Sequence, residues 1–171
     1  MPTKTKRSNY WPYIVAGAVA TLLLKRTMSA TKLIAQFEGL RLQSYQDEAL
    51  IWTIGYGSTF NPFTGVKVKQ GDVITEAEAL RWLKKAVGDF AESVKRLVKV
   101  PISQNKLDAL TSLAYNIGIG AFQRSTLLRL LNAGAPDKDV ADQFLRWNRI
   151  KGVVSRGLTN RRQLERKLYL S

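Results

Sequence analysis

Residues 37–57 read FEGLRLQSYQDEALIWTIGYG, and the chain changes character inside them. Upstream, the segment SATKLIAQFEG places apolar residues at 33, 34, 37 and 40, with Ser29 or Thr31 as an N-cap and Gly39 near the stop. That spacing predicts a helix. Downstream, residues 44–74 are rich in Gly, Thr and aromatics and contain the alternating run VKVKQGDVI, which predicts a small sheet. At the joint stands Glu38, on the side of the helix that carries Ile34 and Phe37. Desolvation in such a setting disfavours a charged carboxylate, so the sequence predicts a carboxyl that keeps its proton and can act as a general acid. Asp47 falls at the entry to the sheet, where a more solvated carboxylate stays ionised, and Thr53 offers a hydroxyl that can orient a water. The alternative reading of Glu38 is a helix-end carboxylate paired with Arg41.

Working outward, the rest of the chain predicts mostly helix. Thr75 and Glu78 form a capping-box pattern that opens a helix from 76 to about 98, with Leu80, Leu83, Val87, Phe90, Val94 and Leu97 on one stripe. Pro101 ends it; Ser103 caps QNKLDALTSLAYNIG, which Gly118 closes. STLLRLLNAG is a short helix closed by Gly134. PDKDVADQFLRWNRIKG opens a further helix at Pro136, and Thr159 caps NRRQLERKLYL. One helix, a small sheet and then a helical bundle make an α+β chain of single-domain length.

Composition narrows the chemistry. The 171 residues include no cysteine and no histidine. Thiol nucleophiles, cysteine-ligated metals, the Ser-His-Asp triad and histidine acid–base work are thereby excluded, and hydrolysis would rest on Asp and Glu. No metal or other cofactor is expected. The net charge is +14, with +6 in residues 1–37 and +8 in the remainder. Such a surface is drawn to polyanions, among them nucleic acid, anionic lipid and bacterial cell wall. Lys and Arg are scattered over several helices without a basic-aromatic platform, so no nucleic-acid partner is expected.

Residues 1–28 differ in composition from the remainder of the chain. Three basic residues precede the uncharged run 8–24, and Lys25 and Arg26 close it. Its apolar centre, 13–24, would span about 18 Å as a helix against a hydrocarbon core of about 30 Å. Tyr10, Trp11 and Tyr13 cluster at one edge, as interfacial aromatics do. The expected division is a basic and apolar signal-anchor segment over 1–28, touching the inner membrane through residues 10–24, and a catalytic domain over 29–171.

The run EGLRLQSYQD followed by TIGYG resembles the phage-type lysozymes, the endolysins of glycoside hydrolase family 24. Glu38, Gly39, Leu40, Arg41, Leu42, Tyr45, Asp47, Thr53, Ile54, Gly55 and Gly57 fall in place, and ALTSLAYNIGIGAF, STLLRLLNAG and GLTNRRQLE are also similar. The resemblance, from about Thr31 to the end, implies a lysozyme-like fold and a monomer that cleaves the β-1,4 bond between N-acetylmuramic acid and N-acetylglucosamine in peptidoglycan. It implies Glu38 as the proton donor, and Asp47 and Thr53 as holders of a water that attacks with inversion. Arg161 matches a family arginine near the catalytic Glu, its alternative being a solvated face of the last helix. Arg161, Asn116, Tyr56 and Phe63 are candidate substrate contacts, and Trp147 is a cleft or core residue. Ser58 stands where the family often has a non-catalytic histidine. The apolar N-terminal run resembles signal-arrest-release segments, which implies an inner-membrane tether facing the periplasm and later release. The competing function is a non-catalytic cell-wall or polyanion binder on the same fold.

Overall fold

The computed structural model describes residues 29–47 and 49–171, so the expected signal-anchor over 1–28 lies outside the described residues. Helix α1, Ala30–Glu38, is capped by Ser29, whose hydroxyl accepts from the Lys32 amide at 3.4 Å. It stops at Gly39, where φ is +71°. Strands β1, Arg41–Gln46, and β2, Trp52–Gly55, follow as an antiparallel hairpin with Tyr45 opposite Thr53 and Gln46 opposite Trp52. The pairing is irregular between Arg41 and Tyr45.

The expected sheet over 44–74 is therefore only partly built. Beyond the hairpin it consists of isolated bridges, Gln43 to Val73, Ile54 to Ser58 and Phe60 to Lys67. Val68 is buried, but Val66 and Val73 stay exposed, so the run buries its apolar residues singly and not as one continuous face.

The rest is mainly helical. Helix α2, Glu76–Leu97, opens with the complete Thr75–Glu78 capping box. Helix α3, Gln104–Ile117, runs from its Ser103 cap to Gly118. Short helices α4, Ile119–Gln123, and α5, Thr126–Asn132, come next, the latter capped by Ser125. The helix expected from Pro136 onward is shorter than its pattern implied. Helix α6, Asp137–Asp142, passes into a 3-10 turn, Gln143–Arg146, and then a second hairpin of β3, Arg149–Ile150, and β4, Val153–Val154. Its two-residue turn sets Lys151 at φ +47° and Gly152 at +83°, the primed-turn geometry that suits hairpins. Helix α7, Arg156–Tyr169, is capped by Ser155 and not by Thr159, which lies inside it and donates to the Ser155 carbonyl at 2.8 Å.

Helix α3 occupies the centre, packed by α1, α2 and α7. The main core gathers Leu33 of α1, Val94 of α2, Leu110 and Leu113 of α3, Phe122, Leu127, Phe144 and Tyr169. A smaller cluster joins Ala30 and Ile34 of α1 to Leu83 and Val87 of α2. Leu80, expected on the buried stripe of α2, is 37% exposed at its edge. Because Leu33 enters one cluster and Ile34 the other, α1 is gripped on two sides, and its last residue is held in place. That residue is Glu38.

Candidate active site

Glu38 does not stand in the apolar pocket that its helix pattern implied. Its side chain is 24% exposed, and its Oε1 accepts a hydrogen bond of 2.7 Å from Nη1 of Arg161. Arg41, the other possible partner, lies instead over the Tyr45 ring at 4.5 Å. A helix pattern marks which face a residue occupies but not which distant cation that face meets. Arg161 is only 3% exposed, so its guanidinium is a buried element of the site and not part of a solvated helix face.

Arg161 is itself held at three points. Nη1 reaches Glu38, Nε donates to Glu165 Oε1 at 3.2 Å, and Nη2 donates to the Ser112 carbonyl at 3.3 Å. Glu165 is fully buried and also accepts from the Ser112 hydroxyl at 2.6 Å and from Arg162 Nη2 at 3.0 Å. Burial pushes the Glu165 carboxyl upward, opposed by Arg162, the Ser112 hydroxyl and Arg161. Burial likewise brings Arg162 down to about 10, with the Glu165 charge opposing the shift. Sequence reading singled out neither Glu165 nor Ser112. The available signal was the RRQLE spacing, which puts Glu165 four residues after Arg161 and three after Arg162 on one helix face.

The other candidates spread over the hairpin and α3. Asp47, just past β1, shapes the hairpin loop: its Oδ1 accepts from the amides of Ala49 at 2.8 Å and Ile51 at 2.9 Å. Its Oδ2 has no hydrogen-bond partner among the described residues. Thr53 is 3% exposed in β2, and its hydroxyl donates to the Ile51 carbonyl at 3.1 Å, which leaves its lone pairs to accept. The loop after β2 returns toward Glu38. Gly57 sits at φ +87°, and a methyl built there would lie 3.7 Å from Glu38 Oε2. Glycine meets the left-handed backbone, while a methyl would sit at ordinary contact distance from the carboxyl. Ser58 closes this turn through paired bonds of 2.9 Å with Ile54, so backbone groups hold the turn at the position of the missing histidine.

Tyr56 enters through its carbonyl, which accepts from the Tyr115 hydroxyl at 3.2 Å. Tyr115, on α3, ties that loop to the bundle and packs on Phe90 with ring centroids 5.2 Å apart. Burial, aided by the Glu38 charge, pushes its phenol up to about 12. Phe63 is 47% exposed and lies under the Arg81 guanidinium at 4.4 Å, with no bond to Glu38, Asp47 or Thr53. Asn116 is exposed on the last turn of α3 and likewise makes no bond to them. Trp147 is half-buried against the main core and borders a groove of about 420 Å³ with Thr126, Leu127, Gln143 and Arg146. Among the described residues no cluster of acidic side chains could hold a metal ion.

The arrangement offers a partly exposed carboxyl at a helix-to-hairpin joint, backed by a buried arginine, with a carboxylate and a hydroxyl on the adjoining hairpin. The phage lysozyme family model matches residues 35–165, which contain Glu38, Asp47, Thr53 and Arg161. The endolysin of Bacillus phage B103 is 42% identical over 147 residues, covering 85% of this chain, and the chain spans 54% of that protein's length. The SAR-endolysin of Enterobacteria phage P21 is 36% identical over 133 residues, covering 78% of this chain and 77% of its own. Among solved structures, the endolysin from Escherichia coli O157:H7 phage FAHEc1 superposes with a TM-score of 0.75 at 42% identity, over 85% of this chain and 92% of that one. The fold is that of a lysozyme, and the chain belongs to the phage lysozyme family.

Proposed function

We propose that the protein is an endolysin that hydrolyses the β-1,4 bond between N-acetylmuramic acid and N-acetylglucosamine of peptidoglycan and so lyses the host cell. The observation that carries the reading is Glu38: a carboxyl left 24% exposed at the end of α1 while the arginine that grips it is buried. A proton donor to a bulky glycan must be reachable and yet fixed in direction, and this carboxyl is both. Glu38 delivers its proton to the leaving glycosidic oxygen. Asp47, through Oδ2, and Thr53, through its hydroxyl, hold the water that attacks the anomeric carbon from the opposite face. The water loses its proton to Asp47, and the product anomer is inverted. Such a pair needs carboxyl groups about 6.5–9.5 Å apart to leave room for the water. Asn116, Tyr56 and Phe63 are proposed glycan contacts along the cleft, with Arg161 fixing the acid. The basic surface, +14 overall, favours encounter with the acidic wall polymer.

The decisive assay is turbidity loss of permeabilised Gram-negative cells with the full chain and its Glu38→Gln variant. The variant should be folded and inert; lysis at the wild-type rate would remove Glu38 as the acid. NMR of fresh products should show the α-anomer, and the β-anomer would replace direct attack by a covalent intermediate.

The same reading extends to location. Among the described residues no helix is long and apolar enough to cross a membrane. The 1–28 segment, with its 13–24 apolar run, and the SAR-endolysin of phage P21 among the relatives support a tether to the inner membrane facing the periplasm, followed by release. Cell fractionation should move the intact chain from membrane to soluble fraction when the membrane potential is dissipated. A chain that is soluble and shortened from the outset would replace the tether by a cleaved signal.

A further inference from the structure

We propose that Glu165 is a positioning residue for the reaction: acting through Arg161, it aims one guanidinium nitrogen at Glu38. The inference rests on the reading of Glu38 as the proton donor.

The geometry assigns each donor of Arg161 to one acceptor. Glu165 takes Nε at 3.2 Å, the Ser112 carbonyl takes Nη2 at 3.3 Å, and Nη1 is left pointing at Glu38 at 2.7 Å. A planar guanidinium pinned along two of its edges has no freedom to swing, so the third bond inherits the direction. Glu165 can serve as the pin because it is pinned in turn. The Ser112 hydroxyl donates to it at 2.6 Å, and Arg162 Nε lies 2.8 Å from its Oε2. The chain of contacts runs from α7 through α3 to the end of α1, crossing three elements to reach one carboxyl.

Fold stability does not account for the cluster. Arg161, Arg162 and Glu165 are 3%, 0% and 0% exposed. Buried ion clusters of this kind contribute little net stability, and apolar residues of similar volume often serve the fold as well or better. An apolar replacement cannot, however, hold Nε.

The test uses the full chain with soluble uncrosslinked peptidoglycan strands, measuring kcat and KM separately alongside a melting curve. Glu165→Gln should lower kcat by about tenfold or more while KM stays within about twofold, since misaiming a reacting group costs rate and not ground-state affinity. Glu165→Asp keeps the carboxyl on a shorter stem and should recover part of kcat. The paired change Arg162→Met with Glu165→Met removes both polar heads together, should stay folded, and should still lose kcat because Nε has lost its anchor. A merely structural role predicts wild-type kcat in every variant that is folded at the assay temperature. A folded methionine pair with wild-type kcat overturns the proposal. So does unfolding of both Glu165→Gln and the methionine pair, which would make the cluster a fold element. Full activity in Glu165→Gln beside an inert Glu38→Gln sinks this inference alone, whereas an active Glu38→Gln sinks the acid assignment itself.

Discussion

Replacing Arg161 by methionine should cost the fold about 3 kcal/mol, a figure set by the contacts of the side chain. Methionine matches the reach of the stem, so no large cavity opens. Three bonds are lost, to Glu38 at 2.7 Å, to Glu165 at 3.2 Å and to the Ser112 carbonyl at 3.3 Å, and hydrogen bonds to charged groups contribute about 1.5–3 kcal/mol each. Neither carboxyl partner is left wholly stranded. Glu38 is 24% exposed and can be rehydrated, and Glu165 keeps Arg162 and Ser112. The removed arginine also no longer has to be desolvated. The balance falls at the lower end of the roughly 3–5 kcal/mol seen when a buried pair is broken. Urea unfolding should show a reduced midpoint at unchanged m-value, and the melting temperature should drop by about 6–12 °C. Lys95→Met is the control. Its pair with Glu92 is just as short, 2.8 Å, but the two side chains are 53% and 61% exposed, so its loss should leave the unfolding midpoint nearly unchanged. If Arg161→Met costs less than about 1 kcal/mol, or Lys95→Met costs as much, then burial is not what distinguishes the two pairs and the reasoning fails.

Leu33→Ala should destabilise by about 3–4 kcal/mol in the same unfolding assay, because Leu33 is fully buried at the junction of α1 and the main core. A loss below about 1 kcal/mol would mean that α1 docks mainly through its other face. Tyr115 and Tyr169 are both raised to about 12 by burial, so each favours the folded state below its unfolded value near 10, and that contribution is lost as pH rises through 10 to 12. Absorbance titration should show two phenols ionising late together with alkaline unfolding. Tyr115→Phe should remove one of them; an unchanged titration would show that Tyr115 is not the late phenol.

Much of the fold was legible because local signals were strong. Thr75 with Glu78, Ser103 with Gly118, and Gly134 at the end of STLLRLLNAG marked helix ends that the structure keeps. The misses arose where a competing local device won. Ser155, not Thr159, caps α7, because the Thr159 hydroxyl turns back to the Ser155 carbonyl inside the helix. The β3–β4 hairpin escaped notice because its turn is Lys-Gly, not the Asn-Gly or Asp-Gly that announces such turns. The site shows the same division. Glu38, Asp47 and Thr53 lie within sixteen residues, 38–53, so a motif can hold them. Arg161 was placed by resemblance alone, and its burial came from tertiary packing. Glu165 and Ser112, separated by 53 positions, meet only because α3 and α7 pack together, and no spacing rule reports that.

The bond between Glu38 and Arg161 joins residues 123 positions apart in the sequence. Closing so long a loop is among the entropically costlier steps of folding, and its reward comes only when the last helix docks. During synthesis the carboxyl proposed as proton donor is thus made 123 residues before the arginine that clamps it. A ribosome-bound chain stalled before Arg161 should be harmless to the wall precursors around it, however well its first helix has formed. Release of chains truncated after Asn160 offers the check: they should be inert even where α1 and the β1–β2 hairpin have folded.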